Sequence, residues 1–389
     1  MRIKNGLVFQ ENGTFQKQDI YTLHGRIVTR ADWEATDDAA TVDAEGLFVI
    51  PGLIDVHSHG AVGCDFSDAD TEGLKKILTY EYAHGITSYC PTSMTLPLEQ
   101  LKEIFASGIS SEFSYIDPKD EACSDNASEP FSGPYARIAG FHMEGPFLDP
   151  VKKGAHQECY IHRPDSSFFR ECQEAAKGHI RLVTMAPNME GTAEFIDECA
   201  DETVLSLGHT SCDYETARRA IRSGVHHMTH LYNAMPELLH RDPGPIGAAI
   251  DEPECMVELI ADGIHSHDAM IRNAFALFGD RIVLISDSLR AAGLGDGTCD
   301  LGGQTVTVRG PLATLADGTI AGSVSNLYDN MCHAIAIGVK KEAAILAATA
   351  NPAKSIGIYD TVGSITPGKL ADLLLVDENM KLIRVLGGY

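Results

Sequence analysis

The sequence predicts an α/β protein, a (β/α)8 TIM-like barrel with a small β-sandwich domain built from both termini. Three observations lead there. Eight apolar runs alternate with polar loops and helical stretches through the middle of the chain, and repeated βα units of that number close into a parallel barrel. Short strand-and-turn segments occupy both ends. Histidine, glutamate and aspartate stand where the apolar runs finish, which is the face on which such a barrel carries its chemistry.

In chain order, Ile3 to Phe9 reads as a strand, followed by a turn at Asn12-Gly13. Asp19 to Leu23 and Arg26 to Val28 flank His24-Gly25 as a hairpin. Val42 to Ile50 is apolar and extended and stops at Pro51-Gly52, a strong breaker. The eight barrel runs are then Leu53 to Val56, Ile86 to Cys90, Arg137 to Met143, Arg181 to Met185, Val204 to Leu207, Val225 to Thr229, Met256 to Ala261 and Arg281 to Ser286. The polar, acidic stretch from Ser110 to Tyr135 interrupts them and reads as a surface excursion. After a turn at Gly363 to Gly368, Ala371 to Asp377 and Lys381 to Leu386 read as two closing strands. The expected division is residues 1–52 and 358–389 in the small β domain and residues 53–357 in the barrel.

Composition narrows the function. The chain has 389 residues, 44% of them hydrophobic, which is ample for one large core with a satellite. Its formal net charge of -25 repels nucleic acid and anionic lipid, so neither is an expected partner. The same field disfavours anionic substrates at long range, so a phosphorylated ligand requires a local positive pocket. None of the ten cysteines is spaced as Cys-x-x-Cys, and no stretch approaches the ~18–20 apolar residues of a bilayer span. A cytoplasmic chain is expected, with its thiols as packing groups.

The first run ends in His57-Ser58-His59. Residues two apart on a strand share a face, so both imidazoles can meet one borderline-soft metal ion. A bare His-x-His pair is weak by itself; its place at the end of an apolar run gives it weight. Glu144, in Phe141 to Pro146, ends the third run, and a carboxylate there holds one ion or bridges two. His142 reads as packing or support. His209 and His230 end the fifth and sixth runs as neutral-imidazole ligands, whereas His226 and His227 lie near the start of their strand and read as structural. Asp287 ends the eighth run. It is either a proton acceptor beside a metal-activated water or the cap of the next helix. Such a ligand set accepts Zn, Fe, Mn or Co, one or two ions per chain.

These residues carry a family likeness. Pro51 to Gly60 (PGLIDVHSHG) resembles the first-strand signature of the amidohydrolase superfamily. HMEGPF from His142, KKGAH from Lys152, THLYNAMP from Thr229, RDPG from Arg241, ADGIH from Ala261, IAGS from Ile320 and GSITPGKLAD from Gly363 narrow it. Together they resemble the N-acetylglucosamine-6-phosphate deacetylase family, over nearly the whole chain. The resemblance implies that Glu144, His209 and His230 bind a divalent metal and that Asp287 is the acid and base. It implies that Ala155, His156, Asn233, Ala234, Arg241, Asp262, His265, Ile320, Ala321 and Gly322 contact a phosphorylated amino sugar. It also implies a homodimer, with Arg241 reaching the neighbouring site. Members that keep the first-strand histidines hold two ions, and this chain keeps His57 and His59.

Two other readings are weaker. Hydantoinase-like amidohydrolases bridge their metals with a carboxylated lysine, and the fourth run, Leu182 to Pro187, offers no lysine. A non-catalytic scaffold of the same fold is expected to have lost ligands, and all six ligand-type residues are present. A deacetylase preferring the galactosamine epimer remains the alternative.

Overall fold

The computed structural model describes residues 1–36, 40–116 and 134–387. The eight expected barrel strands form in order, at Leu53–Ser58, Ile86–Ser93, Arg137–Ile138 with Phe141–Glu144, Ile180–Met185, Val204–Leu207, His227–Met228, Met256–Ile260 and Ile282–Ile285. Each neighbouring pair from the first to the eighth runs parallel. The ring is drawn together between its ends by backbone bonds, Asp287 N–H to the His57 carbonyl at 2.9 Å and His59 N–H to the Ser288 carbonyl at 2.8 Å. These strands are apolar along their length because both faces are covered, the inner by barrel filling and the outer by helices. Helices follow the strands at Thr71–Ala83, Leu98–Ser107, Ser166–Ala175, Thr192–Cys199, Tyr214–Arg222, Gly244–Asp251, Asp268–Phe278 and Leu327–Ala336. Asp70, Asp165, Asp213 and Asn326 each accept a first-turn N–H as caps.

The termini supply two further sheets. One holds Arg26–Val28, Ile20–Leu23, Arg2–Lys4 and Thr41–Asp43; the other holds Leu382–Leu386, Leu373–Val376, Phe48–Pro51, Leu7–Phe9 and Phe15–Lys17. Ile3, Val8, Ile20, Ile27, Val49, Leu373 and Leu375 pack between them, which is the expected sandwich. The hairpin at His24-Gly25 forms, both residues at positive φ (47° and 72°) as a tight hairpin turn requires. Inside the barrel wall, Arg137 Nη1 reaches both oxygens of Asp372 at 2.6 and 2.5 Å and so ties the third barrel strand to the C-terminal segment.

Several expected elements are cut shorter. Ile3 to Phe9 is two strands, because Asn5 adopts φ 68° and sends the halves into different sheets. Val42 to Ile50 likewise splits around Gly46 at φ 78°, and Arg137 to Met143 around Gly140 at φ 147°. Of the excursion from Ser110 to Tyr135, residues 117–133 lie outside the described residues. A three-stranded antiparallel sheet, Gly297–Leu301, Gln304–Arg309 and Leu312–Thr314, stands between the eighth strand and its helix and has no counterpart in the sequence reading. It packs on Met94, Ala155 and Leu289 at the barrel mouth.

Candidate metal centre and cavity

Each strand end turns sharply as it leaves the barrel. His209, His230 and Asp287 all take left-handed backbone conformations, φ 45°, 27° and 47°, and such strain in non-glycine residues clusters where side chains must be aimed. Gly208 permits the turn before His209. A Cβ there would sit 2.7 Å from Thr229 Cβ and 2.8 Å from Thr184 Cγ2, so the strands could not approach as they do.

The result is a ring of imidazoles around one buried carboxylate. The Nε2 atoms of His230, His209 and His57 lie 3.1, 3.2 and 3.4 Å from Glu144 Oε1, and those of His59 and His156 lie 3.1 and 3.3 Å from Oε2. Asp287 Oδ1 stands 3.5 Å from Nε2 of both His57 and His59. All seven groups are buried. The structure therefore brings together every residue expected at the metal site, together with Asp287 and His156.

The second ring nitrogens sort these histidines into two kinds. His57 Nδ1 donates to Glu258 Oε2 at 2.8 Å, His59 Nδ1 to the Thr92 carbonyl at 3.2 Å, and His209 Nδ1 to the Lys152 carbonyl at 2.9 Å. With a proton on Nδ1, Nε2 is the nitrogen each of these rings turns toward Glu144, the one that presents a lone pair when a metal takes the place of its proton. His156 is the reverse. Its Nδ1 accepts the Thr95 backbone N–H at 3.2 Å, so its Nε2 carries the proton and points a donor into the site. Burial, only partly offset by Glu144, lowers the His156 ring to about 4, and it is neutral at ordinary pH.

The carboxyls and imidazoles of the ring are coupled in charge. Burial opposes an ionised Glu144, yet His57, His156, His209 and His230 together hold its carboxyl well below the ordinary range. Burial likewise works against protonated His57 and His59, but Glu144 and Asp287, with Glu258 at His57, push both rings above the usual imidazole range. Nε2 of His209 and of His230 face each other at 2.9 Å. His57 Nε2 and His230 Nδ1 have no hydrogen-bond partner among the described residues. The Nε2 protons held between these rings and the buried carboxylates stand where a divalent ion would bind in their place, and the N/O donor set fits Zn, Fe, Mn or Co.

Above the ring opens a cavity of about 420 Å³, a size suited to a small ligand. Ala155, His156, Asn233, Ala234, His265, Ile320, Ala321 and Gly322 line it, as expected. Asp262 lies behind His265, accepting from its Nδ1 at 2.8 Å and from its backbone N–H at 2.9 Å. Arg241 is exposed and does not line the cavity of its own chain. The cationic side chains that do line it are Lys152 and Lys153, residues the sequence reading used only as a family mark. Glu258 was missed as well. A charged residue inside the apolar strand Met256–Ile260 was the available signal. His142 turns Nδ1 to the Val56 carbonyl and Nε2 to the Thr184 hydroxyl, away from Glu144. Of the histidines read as structural, His226 is exposed and His227 is buried against Ser206.

A barrel whose strand ends carry this His/Glu/Asp set is that of an amidohydrolase. The family model described as Amidohydrolase family matches residues 48–386, and the chain belongs to that family. Its relatives include deacetylases of both 6-phosphorylated epimers, among them the N-acetylgalactosamine-6-phosphate deacetylase of Escherichia coli O157:H7, 30% identical over 345 residues, covering 88% of this chain and 86% of the relative. The chain is 38% identical over 338 residues to the N-acetylglucosamine-6-phosphate deacetylase of Bacillus subtilis (strain 168), covering 86% of this chain and 82% of the relative. It is 35% identical over 398 residues to that of Caenorhabditis elegans, covering 97% and 90%. A solved structure of N-acetyl-D-glucosamine-6-phosphate deacetylase from Mycobacterium smegmatis, a mutant in complex with N-acetyl-D-glucosamine-6-phosphate, superposes with TM-score 0.85 at 28% identity. It covers 100% of this chain and 98% of that one.

Proposed function

We propose that this chain hydrolyses the acetamide of N-acetyl-D-glucosamine 6-phosphate to D-glucosamine 6-phosphate and acetate, a step of amino-sugar catabolism. The observation that carries the chemistry is the convergence of imidazole Nε2 atoms on Glu144, with Asp287 beside them. The substrate is supported by the names of the relatives.

Glu144, His209 and His230 would hold one divalent ion, and His57 and His59 with Glu144 would hold a second. Such an ion polarises an amide carbonyl and lowers the pKa of water toward ~7. The remaining work belongs to side chains. Asp287 takes a proton from the attacking water and returns it to the amine nitrogen as the C–N bond breaks, since an unprotonated amine leaves badly. His156 donates from Nε2 to the carbonyl oxygen as negative charge gathers there. The sugar lies against Ala155, Asn233, Ala234 and the segment Ile320 to Gly322. His265, braced by Asp262, offers its ring to the phosphate, and the two lysines supply positive charge for it in an otherwise acidic protein. Arg241 completes that site from a second copy in a cytoplasmic homodimer, which accounts for its exposure outside its own cavity.

The test is acetate release, on protein of known metal content, from N-acetylglucosamine and N-acetylgalactosamine with and without the 6-phosphate. The proposal expects fastest release from N-acetylglucosamine 6-phosphate. Faster turnover of the phosphorylated galactosamine epimer would move the assignment to that sugar, and no release from any of them would reject deacetylation.

A further inference from the structure

Beneath the ring of imidazoles lies a carboxylate with no place in the chemistry above. Glu258 sits at the middle of the seventh barrel strand, shares its inward face with Ile260, and is fully buried. Its Oε2 accepts from His57 Nδ1 at 2.8 Å and from the backbone N–H of His230 at 3.1 Å. The first contact belongs to the His57/His59 side of the centre, the second to the His209/His230 side. No cationic lysine or arginine side chain bonds to it among the described residues. Its Oε1 has no hydrogen-bond partner, the nearest ring nitrogen being His227 Nδ1 at 3.7 Å.

A buried carboxylate so placed costs free energy unless it has a partner that needs it. His57 is that partner. A neutral imidazole has one proton for two nitrogens, and a carboxylate, which only accepts, fixes that proton on Nδ1. His57 Nε2 is left as the nitrogen aimed at Glu144 and Asp287. Other groups near the ring do not set this tautomer: His142 packs edge-on at 4.4 Å between centroids, with both nitrogens bonded elsewhere.

We infer that Glu258 is a positioning residue of the metal centre, fixing the ring of His57 so that it serves as an Nε2 ligand. The inference rests on the reading of His57 as a metal ligand. Carboxylates in this position typically raise metal affinity by about ten- to a hundredfold.

The experiment titrates chelator-stripped protein with Co²⁺, following the visible absorption bands, bound ions per chain and binding constants for wild type, E258Q, H57N and the double variant H57N/E258Q. The expected result is a tenfold to hundredfold weakening of one ion in E258Q, the other being retained. In the H57N background, E258Q should change Co²⁺ affinity less than threefold, because the ring it orients is gone. Unchanged affinity in E258Q would overturn the inference, as would a full additional loss in the double variant. Should E258Q not fold, E258D, which keeps the charge but shortens the reach to His57, is held to the same outcomes. If H57N itself leaves both ions bound as in wild type, the fault lies with the assignment of His57 as a ligand, which separates that failure from a failure of Glu258 alone.

Discussion

The backbone N–H of Thr95 donates to Nδ1 of His156 across 3.2 Å, and this bond places the ring proton on Nε2, facing Glu144 and the cavity. His156 is thereby set apart from His57, His59 and His209, whose Nδ1 atoms donate. Replacing His156 with phenylalanine fills the space but removes the donor. We expect kcat to fall about 10²–10³-fold, the range for loss of one oxyanion donor, with bound metal unchanged by elemental analysis. Loss of metal in step with activity would make His156 a ligand instead.

Asp287 is held by its surroundings as an anion. Burial opposes ionisation, but His57 and His59 outweigh it and keep the carboxyl below the ordinary range. Asp287→Asn preserves shape and removes the proton acceptor. A kcat loss of at least ~10²–10⁴-fold follows if the side chain moves the proton, with metal content and substrate binding largely kept. A variant within threefold of wild-type kcat would give that role to another group.

Arg241 lies outside the cavity of its own chain, so its contribution to phosphate binding depends on a second copy. Arg241→Ala is expected to raise KM for the phosphorylated sugar by about tenfold to a hundredfold, the effect of losing a charge-assisted hydrogen bond of roughly 1.5–3 kcal/mol. The free sugar should be little affected. Equal losses on both substrates would contradict the assignment, and sedimentation of the same protein reports whether the second copy is present.

The pair Arg137 and Asp372 is buried and spans the barrel and the C-terminal segment. Arg137→Met leaves Asp372 without its cation in a site closed to water. Urea unfolding should show a loss of about 3–5 kcal/mol, and replacing Asp372 with leucine as well should recover most of it. A loss under about 1 kcal/mol would place the pair with exposed ion pairs, which contribute little.

Much of this was legible in the sequence. Barrel strands covered on both faces must be apolar throughout, so runs such as Val204 to Leu207 and Ile282 to Ile285 stand out, and the polar residue ending each run marks the mouth. His57, His59, Glu144, His209, His230 and Asp287 could be found this way. What the sequence hid depends on long-range geometry or single dihedrals. Asn5 at φ 68° divides one apolar run between two sheets. The antiparallel sheet at Gly297 to Thr314 is signalled only by the short alternation Gln304 to Arg309, and its meaning appears when it packs over the cavity. Which nitrogen of each histidine carries the proton depends on acceptors as distant in sequence as Glu258 is from His57.

The central claim is that acetate release depends on ions held by this ring. It is tested most directly by stripping the protein with chelator and returning a divalent metal in measured increments, following acetate from N-acetylglucosamine 6-phosphate and bound metal together. The account expects activity to vanish on stripping and to return with the metal, two ions bound per chain at saturation, falling to one when His57 and His59 are both changed to asparagine. Acetate release that survives complete stripping, or a single bound ion untouched by those two substitutions, would contradict it.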